Sequence, residues 1–158
     1  MLKRLFLAAA AALCLFTQTS CSDDDANDPY EQNFKDGIEF LKANMQREGV
    51  GVTPSGLQFE ILQEGTGASP SKNDIVRCRY KGTLIDGTVF DETKDGKSAT
   101  FKLSEVIPGW TEGLQLMKEG AKYRLFLPYT LGYGAMNLGV IKPYSTLIFE
   151  VELLEVIK

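Results

Sequence analysis

The sequence predicts an α+β domain in which an antiparallel β-sheet packs against one short helix, with a further helix on its N-terminal side. Apolar and polar residues alternate along several short segments between residues 57 and 153, which is typical of half-buried strands. The dipeptide Asp86-Gly87 indicates a two-residue hairpin turn. Only one short helical segment interrupts the strands, so the crossover helices of a parallel sheet are missing.

Residues 1–20 have the layout of a secretory signal peptide. Lys3 and Arg4 precede an apolar run over residues 5–16, and small polar residues follow it as far as Ser20. Because the apolar run is too short to span a bilayer, we expect export followed by cleavage.

Cys21 comes directly after this signal and resembles the lipidated first residue of bacterial lipoproteins. Acyl chains on Cys21 would anchor the protein to the outer membrane, on its periplasmic or its surface face, since each buried methylene contributes about 0.8 kcal/mol. The alternative is ordinary cleavage near Ser20 that leaves a free thiol. Gln18 fits neither case well, because lipoproteins usually have leucine three residues before the cysteine and an ordinary cleavage site has small residues. Residues 21–28 form an acidic tether, which either resembles the export tag of surface lipoproteins or is a solvated linker.

Residues 29–54 are predicted to form an N-terminal helix and a linker. Asp28 is placed to cap the helix, Pro29 suits its first position, and Gly49 is its predicted stop. One apolar stripe follows at spacings of four, three and four residues: Phe34, Ile38, Leu41 and Met45. This stripe can pack on the main domain or on a second copy of the chain, as a weak homodimer.

Residues 55–158 are predicted to form the main domain, most of it strand. Residues 121–127 are one predicted strand, and three more are marked by alternating apolar positions: Leu57, Phe59 and Ile61; Val76, Cys78 and Tyr80; Leu147, Phe149, Val151 and Leu153. Cys78 lies among these apolar positions, so it is predicted to be a core residue rather than a reactive thiol.

The one short helix of this domain is predicted to begin at Pro108 and to end near Gly120. It carries the only tryptophan of the chain, Trp110. Since Pro108 disfavours the helical conformation at Ile107, the Ile107 N–H is predicted to stay outside the helix ladder and remain available as a donor. The indole of Trp110 is either a core side chain or a flat aromatic floor beneath a cleft.

Composition and charge exclude several classes of function. The net charge is -4, and removal of residues 1–20 leaves 15 basic residues (17 minus Lys3 and Arg4) against 21 acidic ones, or -6. We expect no nucleic-acid partner, because an acidic surface repels phosphate. The chain has no histidine, and its three cysteines lack metal-ligand spacing, so we expect neither a metal ion nor a cofactor, and no histidine-based triad.

Five pieces of the sequence occur in one order between residues 55 and 158: SGLQFEILQEGTG, YKGTLIDGTVFDET, ATFKLSEVIPGWTEGLQLMKEGAKYRLFLP, GYGA and STLIFEVELLEV. Together they resemble the FKBP-type peptidyl-prolyl cis-trans isomerases. The leading helix, followed by EGV and TPSGLQ, is similar to the exported bacterial subgroup related to the macrophage infectivity potentiators. The resemblance implies an antiparallel sheet of about five strands wrapped around one short helix, with a proline pocket between them.

The resemblance also implies which residues form that pocket. Trp110 is its floor and Asp91 its acidic residue, and the Ile107 N–H and the Tyr133 hydroxyl donate hydrogen bonds to the carbonyl groups of a ligand. The implied catalytic residues are Tyr80, Phe90, Asp91, Trp110, Tyr133 and Phe149. The implied substrate-binding residues are Val106, Ile107 and Ile141.

This sequence departs from the family pattern at the edges of the pocket. The arginine that often follows the acidic residue is missing, and Lys94 and Lys97 are the nearest cations. Ala99 stands where some members have an aromatic wall, and Lys142 stands where a second proline is common.

The implied function is isomerisation of X-Pro bonds in exported polypeptides. The reaction breaks no bond, so it requires no nucleophile, metal or cofactor. A non-catalytic chaperone or peptide-binding module that retains the fold is the alternative, and a surface adhesion element is a third interpretation. Catalysis of isomerisation in a proline-containing peptide separates the first two.

Overall fold

The computed structural model of the chain describes residues 29–158. The predicted signal peptide, the predicted lipidation at Cys21 and the acidic tether lie outside the described residues.

The sheet contains seven strands, and all their pairings are antiparallel. Along the sheet the order is β1-β2-β6-β7-β3-β4, and β5 also pairs with β3. The strands are β1 (Val50–Val52), β2 (Gln58–Gln63), β3 (Ile75–Leu84), β4 (Val89–Glu92), β5 (Ala99–Lys102), β6 (Lys122–Leu127) and β7 (Leu147–Ile157). The predicted α+β fold is confirmed; the short strand β1, which falls in the segment expected to be a linker, is part of the same sheet.

The hairpin between β3 and β4 is one residue longer than predicted. Leu84 accepts a hydrogen bond from the Gly87 N–H at 3.0 Å and donates its own N–H to the Thr88 carbonyl at 2.9 Å. Three residues therefore form the loop, and Gly87 takes a φ of 85°. A type I turn followed by a left-handed glycine is the usual geometry for a three-residue loop. The dipeptide Asp86-Gly87 therefore predicted the position of the turn correctly, but not the number of residues in it.

The short helix α2 (Pro108–Gln115) packs on the face of the sheet that carries Leu125 and Leu127. Gly109 and Gly113 allow this close approach, because a methyl group at either position would overlap a leucine side chain of β6. The core lies between this helix and the sheet and includes Leu57, Val76, Leu114, Met117, Leu147, Val151 and Leu153. Cys78 is fully buried there, as predicted, and burial raises the pKa of its thiol to about 12.

The N-terminal helix α1 (Pro29–Asn44) covers the opposite face of the sheet. Phe40 contacts Phe126, whose side chain alternates with those of Leu125 and Leu127 along β6. At the end of the helix, Asn44 is buried and donates a 2.8 Å hydrogen bond to Gln58.

The predicted apolar stripe of α1 is only partly correct. Ile38 and Met45 are 50% and 44% exposed, whereas the polar Asn44 and the small Gly37 lie on the buried face. Asn44 is buried because it binds Gln58, and Gly37 is buried because the helix backbone lies close to Thr146. Hydrophobic periodicity detects neither kind of contact. The weak homodimer through α1 stays a prediction.

Candidate active site

The chain enters α2 through an extended residue. Ile107 has φ -58° and ψ 147°, which is the conformation favoured before a proline. Its carbonyl accepts hydrogen bonds from Trp110 and Thr111, while its N–H donates to no acceptor in residues 29–158. The predicted free donor is therefore present at the start of the helix.

Trp110 lies in the first turn of α2, surrounded by three aromatic rings. Tyr80, Phe101 and Phe149 each meet the indole in T-shaped contacts, with ring centroids 5.1 to 5.4 Å away. The side chain is only 4% exposed, yet it lines a cleft rather than being sealed in the core. Both interpretations of the indole hold in part, since it packs against three rings of the core and also lines the cleft.

The cleft above Trp110 has a volume of about 320 Å³, which is within the range of small-ligand sites. Seven of the nine residues implied by the resemblance line it: Tyr80, Asp91, Val106, Ile107, Trp110, Tyr133 and Phe149. These residues come from β3, β4, β7, α2 and the segments around them, so the fold collects them from distant parts of the chain.

Phe90 and Ile141 do not line this cleft. Phe90 lies behind the wall, where its ring contacts Phe149 with centroids 5.4 Å apart. Ile141 is 8% exposed and belongs to the core cluster. Phe90 therefore supports a cleft residue, and the roles of Phe90 and Ile141 toward a substrate stay predictions.

Phe101 and Glu105 also line the cleft, and neither was predicted from the sequence. Phe101 follows Ala99 on the same side of β5, so the aromatic wall that appeared to be lost at Ala99 is supplied two residues later. The alternation of side chains along this strand could have predicted Phe101 as a cleft residue. Glu105 is exposed and forms an ion pair with Lys102 at 3.1 Å; it ends the short 3-10 helix Leu103–Glu105, which is too short to show a periodic pattern.

Asp91 is held by a tyrosine rather than by a cation. The Tyr80 hydroxyl donates a 2.6 Å hydrogen bond to Asp91 Oδ2. Within residues 29–158 Asp91 has no ion pair, so neither Lys94 nor Lys97 replaces the missing arginine. Burial, then the hydrogen bond to Asp91, raises the pKa of Tyr80 well above its ordinary value, so Tyr80 stays protonated and orients the carboxylate.

Tyr133 brings the second hydroxyl to the cleft from the loop between β6 and β7. It is half-buried. Burial and, to a smaller extent, the charge of Asp91 raise the pKa of Tyr133. Its hydroxyl therefore remains a hydrogen-bond donor at alkaline pH.

These raised pKa values predict a flat alkaline pH profile for any activity of this cleft. A raised folded-state pKa keeps the phenol protonated past the ordinary value of about 10, so the donor is lost only as the pH rises through the higher value. The chain also has no histidine to titrate near neutrality. We expect kcat/KM to be constant from about pH 7 to about pH 10. A loss of activity with a midpoint below about pH 9 would contradict this assignment of the phenols.

Metal-ligand clusters and membrane-spanning helices are both absent from the described part of the chain. Residues 29–158 contain no group of three or more His, Cys, Asp or Glu side chains placed to hold a metal ion. No helix in this range is long and apolar enough to cross a membrane.

Comparison with known proteins identifies the class to which this fold and cleft belong. The family described as FKBP-type peptidyl-prolyl cis-trans isomerase matches residues 67–154, and the domain amino-terminal to that isomerase matches residues 8–61. The chain belongs to the FKBP-type peptidyl-prolyl cis-trans isomerase family. Within it the chain is like the macrophage infectivity potentiators, as the sequence predicted.

Three similar proteins illustrate the match. The outer membrane protein MIP of Legionella longbeachae is 52% identical over 134 residues, which cover 84% of this chain and 58% of that protein. The macrophage infectivity potentiator of Trypanosoma cruzi is 39% identical, over 96% of this chain and 78% of that protein. A crystal structure of a peptidyl-prolyl cis-trans isomerase from Pseudomonas syringae pv. tomato superposes with a TM-score of 0.78 at 37% identity, over 84% of this chain and 98% of that one. This chain spans less than two thirds of the length of the Legionella protein.

Proposed function

We propose that this protein is a peptidyl-prolyl cis-trans isomerase that acts on X-Pro bonds in exported polypeptides. The observation that carries the proposal is an aromatic cleft whose floor, Trp110, lies beside the Ile107 N–H, a backbone donor with no acceptor among residues 29–158. The family membership supports the same reaction.

The cleft suits this reaction because its walls are mostly aromatic and apolar. Rotation about an amide has a barrier of about 18–20 kcal/mol, which is the resonance lost when the bond twists. The twisted amide has a less polar carbonyl than the planar one, so a cleft that excludes water disfavours the planar form more. A reduction of about 5 kcal/mol would accelerate the exchange several-thousandfold.

The polar groups at the cleft hold the substrate while it rotates. In this proposal the Ile107 N–H and the Tyr133 hydroxyl donate hydrogen bonds to carbonyl groups of the bound peptide, and the lining of the cleft by both residues supports it. The carboxylate of Asp91, fixed by Tyr80, destabilises a nearby planar carbonyl oxygen more than a twisted one, because the oxygen loses negative charge on twisting. No step transfers a proton or forms a covalent bond.

The decisive test is an isomerisation assay on the full chain in mild detergent, using a peptide with one X-Pro bond. We expect catalysis of the exchange, and running the assay with and without tacrolimus tests whether the cleft takes this ligand. Binding of the peptide without acceleration would refute the enzyme and favour the alternative, a non-catalytic chaperone or peptide-binding module.

We also propose that the protein is exported and anchored to the bacterial outer membrane by lipid on Cys21. The sequence pattern of residues 1–21 supports this, and one relative is named an outer membrane protein. Cys21→Ser is expected to move the protein from the membrane fraction to the soluble fraction, since the acyl chains can no longer be attached. Cys78→Ser, at the buried cysteine, is the control and should leave the fractionation unchanged; membrane association that survives Cys21→Ser would rule out the anchor.

A further inference from the structure

The helix α1 contacts the loop that carries Tyr133 to the cleft. This loop covers residues 132–146, between a 3-10 turn (Tyr129–Leu131) and β7. Gly37 of α1 faces Thr146 so closely that a methyl group on it would lie 2.5 Å from the threonine Oγ1. The helix backbone and the end of the loop are therefore in direct contact.

Asn33 binds the returning side of the loop through both hydrogens of its amide group. Its Nδ2 donates to the Pro143 carbonyl at 2.6 Å and to Ser145 Oγ at 3.1 Å. Ser145 is 6% exposed, and its hydroxyl donates to the Lys142 carbonyl at 2.7 Å. One side chain of α1 thus binds the loop directly at two positions and reaches a third, Lys142, through Ser145.

Phe34 contacts the two residues that hold the chain next to Tyr133. Its ring meets Tyr129 and Tyr144 in T-shaped contacts, at 5.6 Å and 6.1 Å, and those two rings meet each other at 5.3 Å. The Tyr144 N–H donates to the Gly134 carbonyl at 2.8 Å, and the Gly134 N–H donates to the Tyr129 carbonyl at 3.0 Å. Gly134 directly follows Tyr133, so Phe34 packs against both anchors of that position.

We infer that Asn33 and Phe34 are positioning residues that hold the Tyr133 hydroxyl at the cleft. The inference rests on the proposed function, in which Tyr133 donates to the substrate. Neither residue lines the cleft, so each acts through the loop. Tyr144 takes a φ of 61°, which non-glycine residues rarely adopt, and the contacts with α1 stabilise the loop in this conformation.

A double-mutant cycle tests the inference in the full chain. Asn33→Ala and Phe34→Leu are each expected to lower kcat/KM by about threefold to tenfold. In a Tyr133→Phe background the same two changes should lower kcat/KM by less than about twofold, because the hydroxyl that Asn33 and Phe34 position is already gone. Ile38→Ala, on the exposed side of the same helix, and Asn44→Ala, which weakens the other end of its packing, are the controls and should leave kcat/KM within about twofold.

Hydrogen exchange of the Gly134 and Tyr144 amides provides a readout that does not depend on activity. Both amides should exchange about tenfold faster in Asn33→Ala and Phe34→Leu than in the two control variants. Should Asn33→Ala detach the whole helix, Phe34→Leu decides the question. Unchanged exchange in both variants, or a full penalty in the Tyr133→Phe background, would overturn the inference. If the wild type does not catalyse isomerisation, the proposed function fails, and the exchange rates alone decide whether α1 holds the loop.

Discussion

Replacing Trp110 by alanine is expected to lower the free energy of unfolding by about 3–5 kcal/mol and kcat/KM by about 100-fold. The indole is 4% exposed and touches three aromatic rings, so its removal leaves a cavity that rigid neighbours cannot fill. The same change removes the floor against which a prolyl ring would be buried, a contact that contributes about 2–3 kcal/mol. Urea denaturation and the isomerisation assay measure the two effects separately.

The matched control is Leu114→Ala, one turn further along the same helix. Leu114 is fully buried but does not line the cleft. This variant should lose about 2–5 kcal/mol of stability while keeping most of its kcat/KM at a temperature where it is folded. Equal losses of activity in the two variants would mean that Trp110 acts only through stability, and the assignment of the cleft floor would be wrong.

Asp91→Ala is expected to lower kcat/KM by about 10- to 50-fold, with the free energy of unfolding changed by less than about 1 kcal/mol. Asp91 is exposed, so its removal creates no cavity. The variant loses the carboxylate at the cleft and leaves the Tyr80 hydroxyl without its acceptor. Tyr80→Phe keeps both the ring and the carboxylate but frees the carboxylate to rotate. We expect this variant to lower kcat/KM by about threefold to tenfold.

Asp95→Ala controls for the loss of one negative charge near the cleft. Asp95 is exposed, does not line the cleft, and follows Asp91 by four residues. We expect its kcat/KM to stay within about twofold of the wild type. An Asp91→Ala variant as active as Asp95→Ala would show that the carboxylate has no part in the reaction.

Local rules predicted the entrance to the cleft well. The proline after Ile107 was enough to predict an extended residue with a free N–H, and the structure confirms both. Seven of the nine residues implied by the resemblance line one cleft, and their motifs are contiguous pieces of sequence; their roles stay predictions. Phe90 and Ile141 are the exceptions. The position of Phe90 beside Asp91 does not reveal that its ring lies behind Phe149, and Ile141 belongs to the core cluster.

Packing between distant segments was harder to predict. The periodicity of α1 favoured Ile38 and Met45 as buried residues, but both are exposed. Besides the ring contacts of Phe34 and Phe40, the helix is held by hydrogen bonds from Asn33 and Asn44 to residues more than ten positions away. Nothing in a stretch of sequence identifies the partner of a polar side chain, so this face became visible only in the folded chain.

The two glycines that let α2 lie close to β6 limit which substitutions the cleft can accept. Trp110 sits between Gly109 and Gly113 on a helix whose backbone nearly touches Leu125 and Leu127. A bulkier residue at either glycine would lift the helix and shift the indole away from the rings that frame it. The location of the cleft floor therefore depends on two positions of α2 that carry no side chain, and we expect a larger residue at Gly109 or Gly113 to lower activity although neither glycine lines the cleft.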